Sequence, residues 1–94
     1  MHDPHFADKE TERIWDGEVS QRLPIAIEVI AKRTLRMINN ARRLDALRIP
    51  PANRLEALKG DLKGQHNICI NDQWRICFRW GNAGVADVRI VDYH

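Results

Sequence analysis

The chain has 94 residues, 44% hydrophobic and 30% charged, with 15 lysines and arginines against 13 acids for a formal charge of +2. That composition belongs to a small globular domain and excludes collagen, a disordered tail and a disulfide-rich miniprotein. The longest apolar runs fall far short of the roughly 18 residues a bilayer span needs, and the N-terminus lacks a signal-peptide core, so reduced Cys69 and Cys77 in a cytoplasmic setting are expected. One domain over residues 1–94 is expected, with any active site on its surface, because a chain this short buries only about two-thirds of its unfolded area.

In chain order, His2, Asp3 and His5 have metal-ligand chemistry, but a frayed terminus is the preferred reading. Asp8 to Trp15 reads as a short helix, capped by Asp8 and ended by Gly17. Ser20 to about Arg43 is the strongest helix signal, with Ser20 as N-cap and Pro24 in an early turn. Leu23, Ile27, Ile30, Thr34, Ile38 and Ala41 recur at steps of three and four, and Ala31 and Leu35 widen that stripe. Lys32, Arg33 and Arg36 project elsewhere, and a solvated face is preferred there over an RNA contact. Leu44–Leu47 reads as a further helical turn, and Pro50-Pro51 begins a linker.

The period then changes from helical to two. Arg54–Lys59 is expected to be a strand ending at Gly60. Ile68 and Ile70, then Ile76, Phe78 and Trp80, then Ala86, Val88 and Ile90 alternate with mostly polar neighbours. Asn71-Asp72-Gln73 and Gly81-Asn82-Ala83-Gly84 are the turns between these strands. Opposed residues must share a face, so a three-residue loop pairs Ile70 with Trp74, Ile68 with Ile76, Cys69 with Arg75 and Asn67 with Cys77. The two cysteines are then diagonal neighbours, which disfavours a disulfide. The expected architecture is α+β, with helices packed on the apolar face of an antiparallel sheet and Arg75 and Arg79 on its polar face.

Glycine loops for phosphate, CxxC pairs and zinc or serine-hydrolase motifs are missing from the sequence. The informative segment is Asp92-Tyr93-His94. His94 titrates near neutrality, Asp92 orients an imidazole or takes a proton, and Tyr93 donates a hydrogen bond or stacks on a base. By themselves these residues are better read as a polar, frayed chain end. Leu58-Lys59-Gly60-Asp61 with Lys63 is either a solvated turn or a lysine held beside the sheet arginines to neutralise a phosphate.

Asn53–Asp61, Ile70–Trp80 and Val91–His94, with Ile49-Pro50-Pro51-Ala52 before them, resemble the HigB toxins of the RelE-like type II toxin–antitoxin superfamily. The resemblance runs over roughly residues 9–94 and is most specific in the second half. It implies a RelE-like α+β fold, with N-terminal helices on a small curved antiparallel sheet. It also implies an endoribonuclease that cleaves translated mRNA in the ribosomal A site, without metal or cofactor. The implied partners are the ribosome and mRNA and a HigA-like helix-turn-helix antitoxin, with operator DNA met only through that antitoxin and no membrane. Matched position by position, the implied catalytic residues are Asp92, Tyr93, His94, Arg75, Lys59 and Glu56. Arg54, Lys63 and Arg79 are expected to bind substrate. There are two departures: some HigB toxins have a histidine where this chain has Glu56, while others share the glutamate, and many relatives have an arginine at the position of Cys69. The alternatives are an RNA- or ribosome-binding protein with weak or no cleavage, a gyrase-directed toxin of the ParE branch, which generally lacks the Asp-Tyr-His ending, and a partner that only binds an antitoxin.

Overall fold

The computed structural model describes residues 5–20, 22–48, 54–62, 64–81 and 84–92. Two helices, α1 (Lys9–Trp15) and α2 (Ile25–Asn40), precede four strands, β1 (Glu56–Ala57), β2 (Gln65–Cys69), β3 (Trp74–Gly81) and β4 (Gly84–Asp92). The strands form one antiparallel sheet in the order β1-β2-β3-β4. The expected α+β architecture is therefore observed. Among the described residues no helix is long and apolar enough to cross a membrane.

Helix α1 starts where its cap predicts: the Thr11 amide donates to Asp8 Oδ1 at 2.7 Å. It ends at Gly17, whose φ of +85 suits glycine and whose missing Cβ would lie 3.1 Å from Lys32 Nζ.

Helix α2 is shorter than expected. It begins after Pro24, whose carbonyl accepts from the Ile27 and Glu28 amides, and not at Ser20. Ser20 instead serves the loop before the helix. Its hydroxyl donates to Glu10 Oε2 at 2.7 Å and accepts from the Arg22 amide at 3.0 Å. Its amide donates to the Glu28 carboxylate. The buried stripe of α2 is Ala31, Thr34, Leu35 and Ile38. Ile27 is half-buried and Ile30 is exposed, so the apolar face is rotated toward Ala31 and Leu35 relative to the expected stripe. Arg33 and Arg36 are exposed and Lys32 is half-buried. A 3-10 turn follows at Leu44–Arg48. Pro50 and Pro51 lie outside the described residues.

The β2–β3 register is the expected one, with Asn67 opposite Cys77, Ile68 opposite Ile76 and Cys69 opposite Arg75. Asn71 fixes the three-residue turn: its Oδ1 accepts from the Gln73 amide at 2.9 Å and the Trp74 amide at 2.7 Å. The Ile70 amide meets the Trp74 carbonyl at 2.9 Å. Ile68, Ile76, Phe78, Val88 and Ile90 turn to the helices and join Ile14, Leu23, Leu35, Ile38 and Leu47 in the core.

Three expectations are corrected. The strand foreseen over Arg54–Lys59 is only Glu56–Ala57, because the chain turns into a 3-10 segment at Gly60–Leu62 and Gly60 has φ +66. Ala86 was expected on the apolar face. Between the Cys77–Arg89 and Arg79–Ala86 pairs β4 carries one residue more than β3, a bulge with Asp87 at φ +54. The bulge turns Ala86 to the Arg79 side and Val85 to the Trp80 side, where Val85 packs on the core. Finally, His5 is not frayed: its carbonyl accepts from the Val88 amide at 2.9 Å, and the Ala7 amide donates back to the Val88 carbonyl at 2.8 Å. This contact covers the edge of β4, where an unpaired strand would otherwise invite another chain.

Candidate functional site

The sheet face away from the helices carries Glu56 on β1, Gln65, Asn67 and Cys69 on β2, Arg75, Cys77 and Arg79 on β3, and Ala86, Arg89 and Val91 on β4. Three arginines stand on adjacent strands of one face. Beneath them Gln65, Asn67 and Cys77 are buried. Buried amides need partners, and the arginine head groups supply them.

Arg75 is largely enclosed, with 14% of its side chain exposed. Its Nη1 donates to Asn67 Oδ1 at 3.2 Å and lies 3.8 Å from Glu56 Oε1. Because Glu56 is opposite Asn67 on β1, the carboxylate and the amide approach one guanidinium nitrogen together. Arg89 reaches from β4 across β3 and donates from Nη1 to Gln65 Oε1 at 2.9 Å. Arg79 sits between Gln65 and Ala86 and donates from Nε to Asp87 Oδ2 at 3.2 Å.

The cysteines follow from this arrangement. Both are free thiols. Cys77 lies under the arginines, and burial pushes its thiol up from the ordinary value, against the opposing pull of Arg89 and Arg75. Cys69 is half-buried, and its thiol is 3.0 Å from the Asn71 carbonyl. His66, the neighbour of Asn67, points to the helix side and stacks on Phe78 with ring centres 6.0 Å apart. Burial, and then the charge of Arg48, push the His66 imidazole below its ordinary value.

The sequence-selected residues therefore divide. Arg75 and Glu56 meet directly. Arg79 shares their face but is paired with Asp87. Lys59 is exposed beyond the end of β1, and Arg54 is exposed before its start with φ 47. Asp92 is opposite Trp74 and so shares by register the side of Ile90, not that of Arg75. It is exposed at the end of β4, where its Oδ2 accepts from Gln73 Nε2 at 3.3 Å. Lys63, Tyr93 and His94 lie outside the described residues.

Arg89, Asn67 and Gln65 were not among the expected site residues. Strand alternation places all three on the Arg75 face, and that alone could have selected Arg89. The buried amides carry no such signal, because asparagine and glutamine usually mark turns or solvent.

The arrangement is an arginine-rich surface on which buried amides fix two of the three guanidinium groups, which is a means of holding phosphate oxygens. Comparison with known proteins agrees with the fold and narrows the class. Residues 4–94 match the family described as the RelE-like toxin of type II toxin-antitoxin system HigB. The chain is 40% identical to Toxin HigB-1 of Vibrio cholerae over 90 residues, covering 95% of this chain and 94% of that protein. It is 30% identical over 85 residues to an uncharacterized protein of Haemophilus influenzae, covering 89% and 84%. A match of this extent makes the chain a member of the HigB-like toxins of type II toxin–antitoxin systems.

Proposed function

We propose that this toxin is an endoribonuclease that cleaves translated mRNA in the ribosomal A site. The observation that carries the proposal is the seating of Arg75 between Asn67 and Glu56 on the cationic sheet face. Cleavage without a metal uses the substrate's own 2′-OH as nucleophile, the group that distinguishes RNA from DNA. A base removes the 2′ proton, the oxygen attacks phosphorus, and the P–O5′ bond breaks as an acid protonates the leaving oxygen. His94 transfers a proton, and Asp92 acts as the base or orients His94. Tyr93 positions the nucleotide. Arg75 and Lys59 stabilise the charge that develops on the phosphorane oxygens. Glu56 orients Arg75, a role its 3.8 Å approach to Nη1 supports over direct proton transfer. Arg54, Lys63 and Arg79 extend the contact to neighbouring parts of the strand.

The partner that restrains this activity is a HigA-like helix-turn-helix antitoxin, and the toxin meets operator DNA through it. The ribosome and mRNA, its other partners, place it in the cytoplasm. The second reading, ribosome binding with weak cleavage, is favoured by one observation: Cys69, a neutral side chain, stands opposite Arg75.

The test is induction without antitoxin, followed by 5′-end mapping of mRNAs in translated and untranslated form. New 5′ ends confined to translated mRNA are expected. Growth arrest with unchanged transcripts would refute cleavage. Single-turnover cleavage of A-site mRNA by His94→Ala at the wild-type rate would remove His94 from the mechanism.

A further inference from the structure

Arg89 and Gln65, we propose, form a second phosphate clamp beside Arg75, taking a backbone phosphate adjacent to the one that is cleaved. The proposal rests on the RNA-cleavage reading and adds to it a binding subsite.

Three observations carry it. First, Cys77 is opposite Asn67 on one side and Arg89 on the other, so Arg75 and Arg89 flank a single buried thiol on one sheet face. Second, their head groups are anchored on neighbouring same-face positions of β2. Arg75 Nη1 holds Asn67 Oδ1 at 3.2 Å, and Arg89 Nη1 holds Gln65 Oε1 at 2.9 Å. Two residues along a strand is about 7 Å, a spacing that suits consecutive phosphates of one RNA strand. Third, the charge of Arg89 is not neutralised as those of its neighbours are. Arg75 has Glu56 and Arg79 has Asp87, whereas among the described residues no carboxylate lies within ion-pair distance of Arg89.

A guanidinium has five donors in a fixed plane. The bond to Gln65 uses one and sets the orientation of the rest. Gln65 is 7% exposed, so its amide is a fixed support and not a competing solvent contact. A cation positioned by a neutral amide keeps its full charge for an anionic ligand.

The test uses the full chain and ribosomes programmed with mRNAs that carry one uncharged methylphosphonate, moved in turn through the positions flanking the cleavage point. Ribosome affinity and single-turnover cleavage rate are both read. In the wild type, one flanking replacement costs about tenfold, the scale of one charge-assisted hydrogen bond. Arg89→Gln costs about as much on all-phosphate mRNA and nothing further at that position, so the two losses do not multiply. Arg89→Lys, which keeps the charge, keeps part of the coupling, and Gln65→Leu weakens it. Thermal unfolding of each variant separates these effects from loss of fold. Losses that multiply at every position overturn the clamp even where cleavage is normal. Coupled losses of affinity without any cleaved product sustain the clamp and overturn the nuclease reading instead.

Discussion

The Thr11 hydroxyl accepts the Ile90 amide at 2.9 Å and so joins helix α1 to the edge strand β4. Arg22 Nη2 donates to the Ile90 carbonyl at 2.6 Å, and the two contacts satisfy both backbone groups of one residue. An edge strand usually leaves such groups to solvent or to a second chain. Thr11 is fully buried. Thr11→Val keeps its shape but leaves the Ile90 N–H unpaired, and should destabilise the fold by about 1–3 kcal/mol. Urea unfolding should show a lower midpoint with an unchanged slope. A midpoint equal to the wild type would mean that the hydroxyl contributes nothing net.

The two cysteines should differ in reactivity. Cys77 is buried and its thiol is pushed up by desolvation, while Cys69 is half-buried. Alkylation of the native protein near neutral pH, followed by peptide mapping, should label Cys69 first and Cys77 only after unfolding. The Cys77 shift also has a stability consequence. The folded state prefers the neutral thiol, so the contribution is complete below the ordinary value of 9.0 and is lost as pH rises through the higher folded value. Cys77→Ser should flatten that alkaline decline. Equal labelling of both thiols in the native protein would contradict the buried placement.

His66 contributes on the acid side. Its imidazole is held below the ordinary value of 6.5, first by burial and then by the Arg48 charge. The unfolded chain therefore takes up a proton at a higher pH than the folded one. Stability is fully present above about pH 6.5 and falls as pH drops through the lowered folded value. Unfolding midpoints between neutral pH and pH 5 should decline in the wild type and decline less in His66→Gln. An NMR titration of His66 with a midpoint at or above 6.5 would contradict this assignment.

What could be read from the sequence divides by the range of the interaction. The β2–β3 register followed from alternation alone, because a shift of one residue would have turned Ile68 and Ile76 to solvent. The start of α1 followed from Asp8, a local hydrogen bond. The start of α2 did not, because Ser20 is a good cap whose hydroxyl is instead engaged with Glu10, ten residues earlier. The β4 bulge was invisible for a related reason. Asp87 carries no mark of its φ of +54, and its carboxylate pairs with Arg79 on the neighbouring strand and lies 3.5 Å from Nδ1 of His5 near the other end of the chain. The same limit applied to the candidate site. Alternation brought Arg75 and Arg79 to one face, but the amides that hold Arg75 and Arg89 are tertiary neighbours with no sequence signal.

Cys69 offers a test by gain of function. It faces Arg75 across the β2–β3 pair, on the same side of the sheet as Glu56 and Arg89. The HigB resemblance puts an arginine there in many relatives, so under the proposed RNA cleavage Cys69→Arg should add a cation beside the reacting phosphate. One such donor is worth about 10²–10³-fold in rate, or about 2.7–4 kcal/mol of transition-state stabilisation. Single-turnover cleavage of A-site mRNA should rise toward that range. The substitution also brings two guanidinium groups together on adjacent strands, where like charges destabilise by a fraction of a kcal/mol. Glu56 stands on the next strand and offsets part of that repulsion. Cys69→Gln adds a polar side chain without charge and should leave the rate unchanged. If both variants cleave at the wild-type rate, the arginine position does not contribute to catalysis in this toxin, and Arg75 holds the phosphate without it.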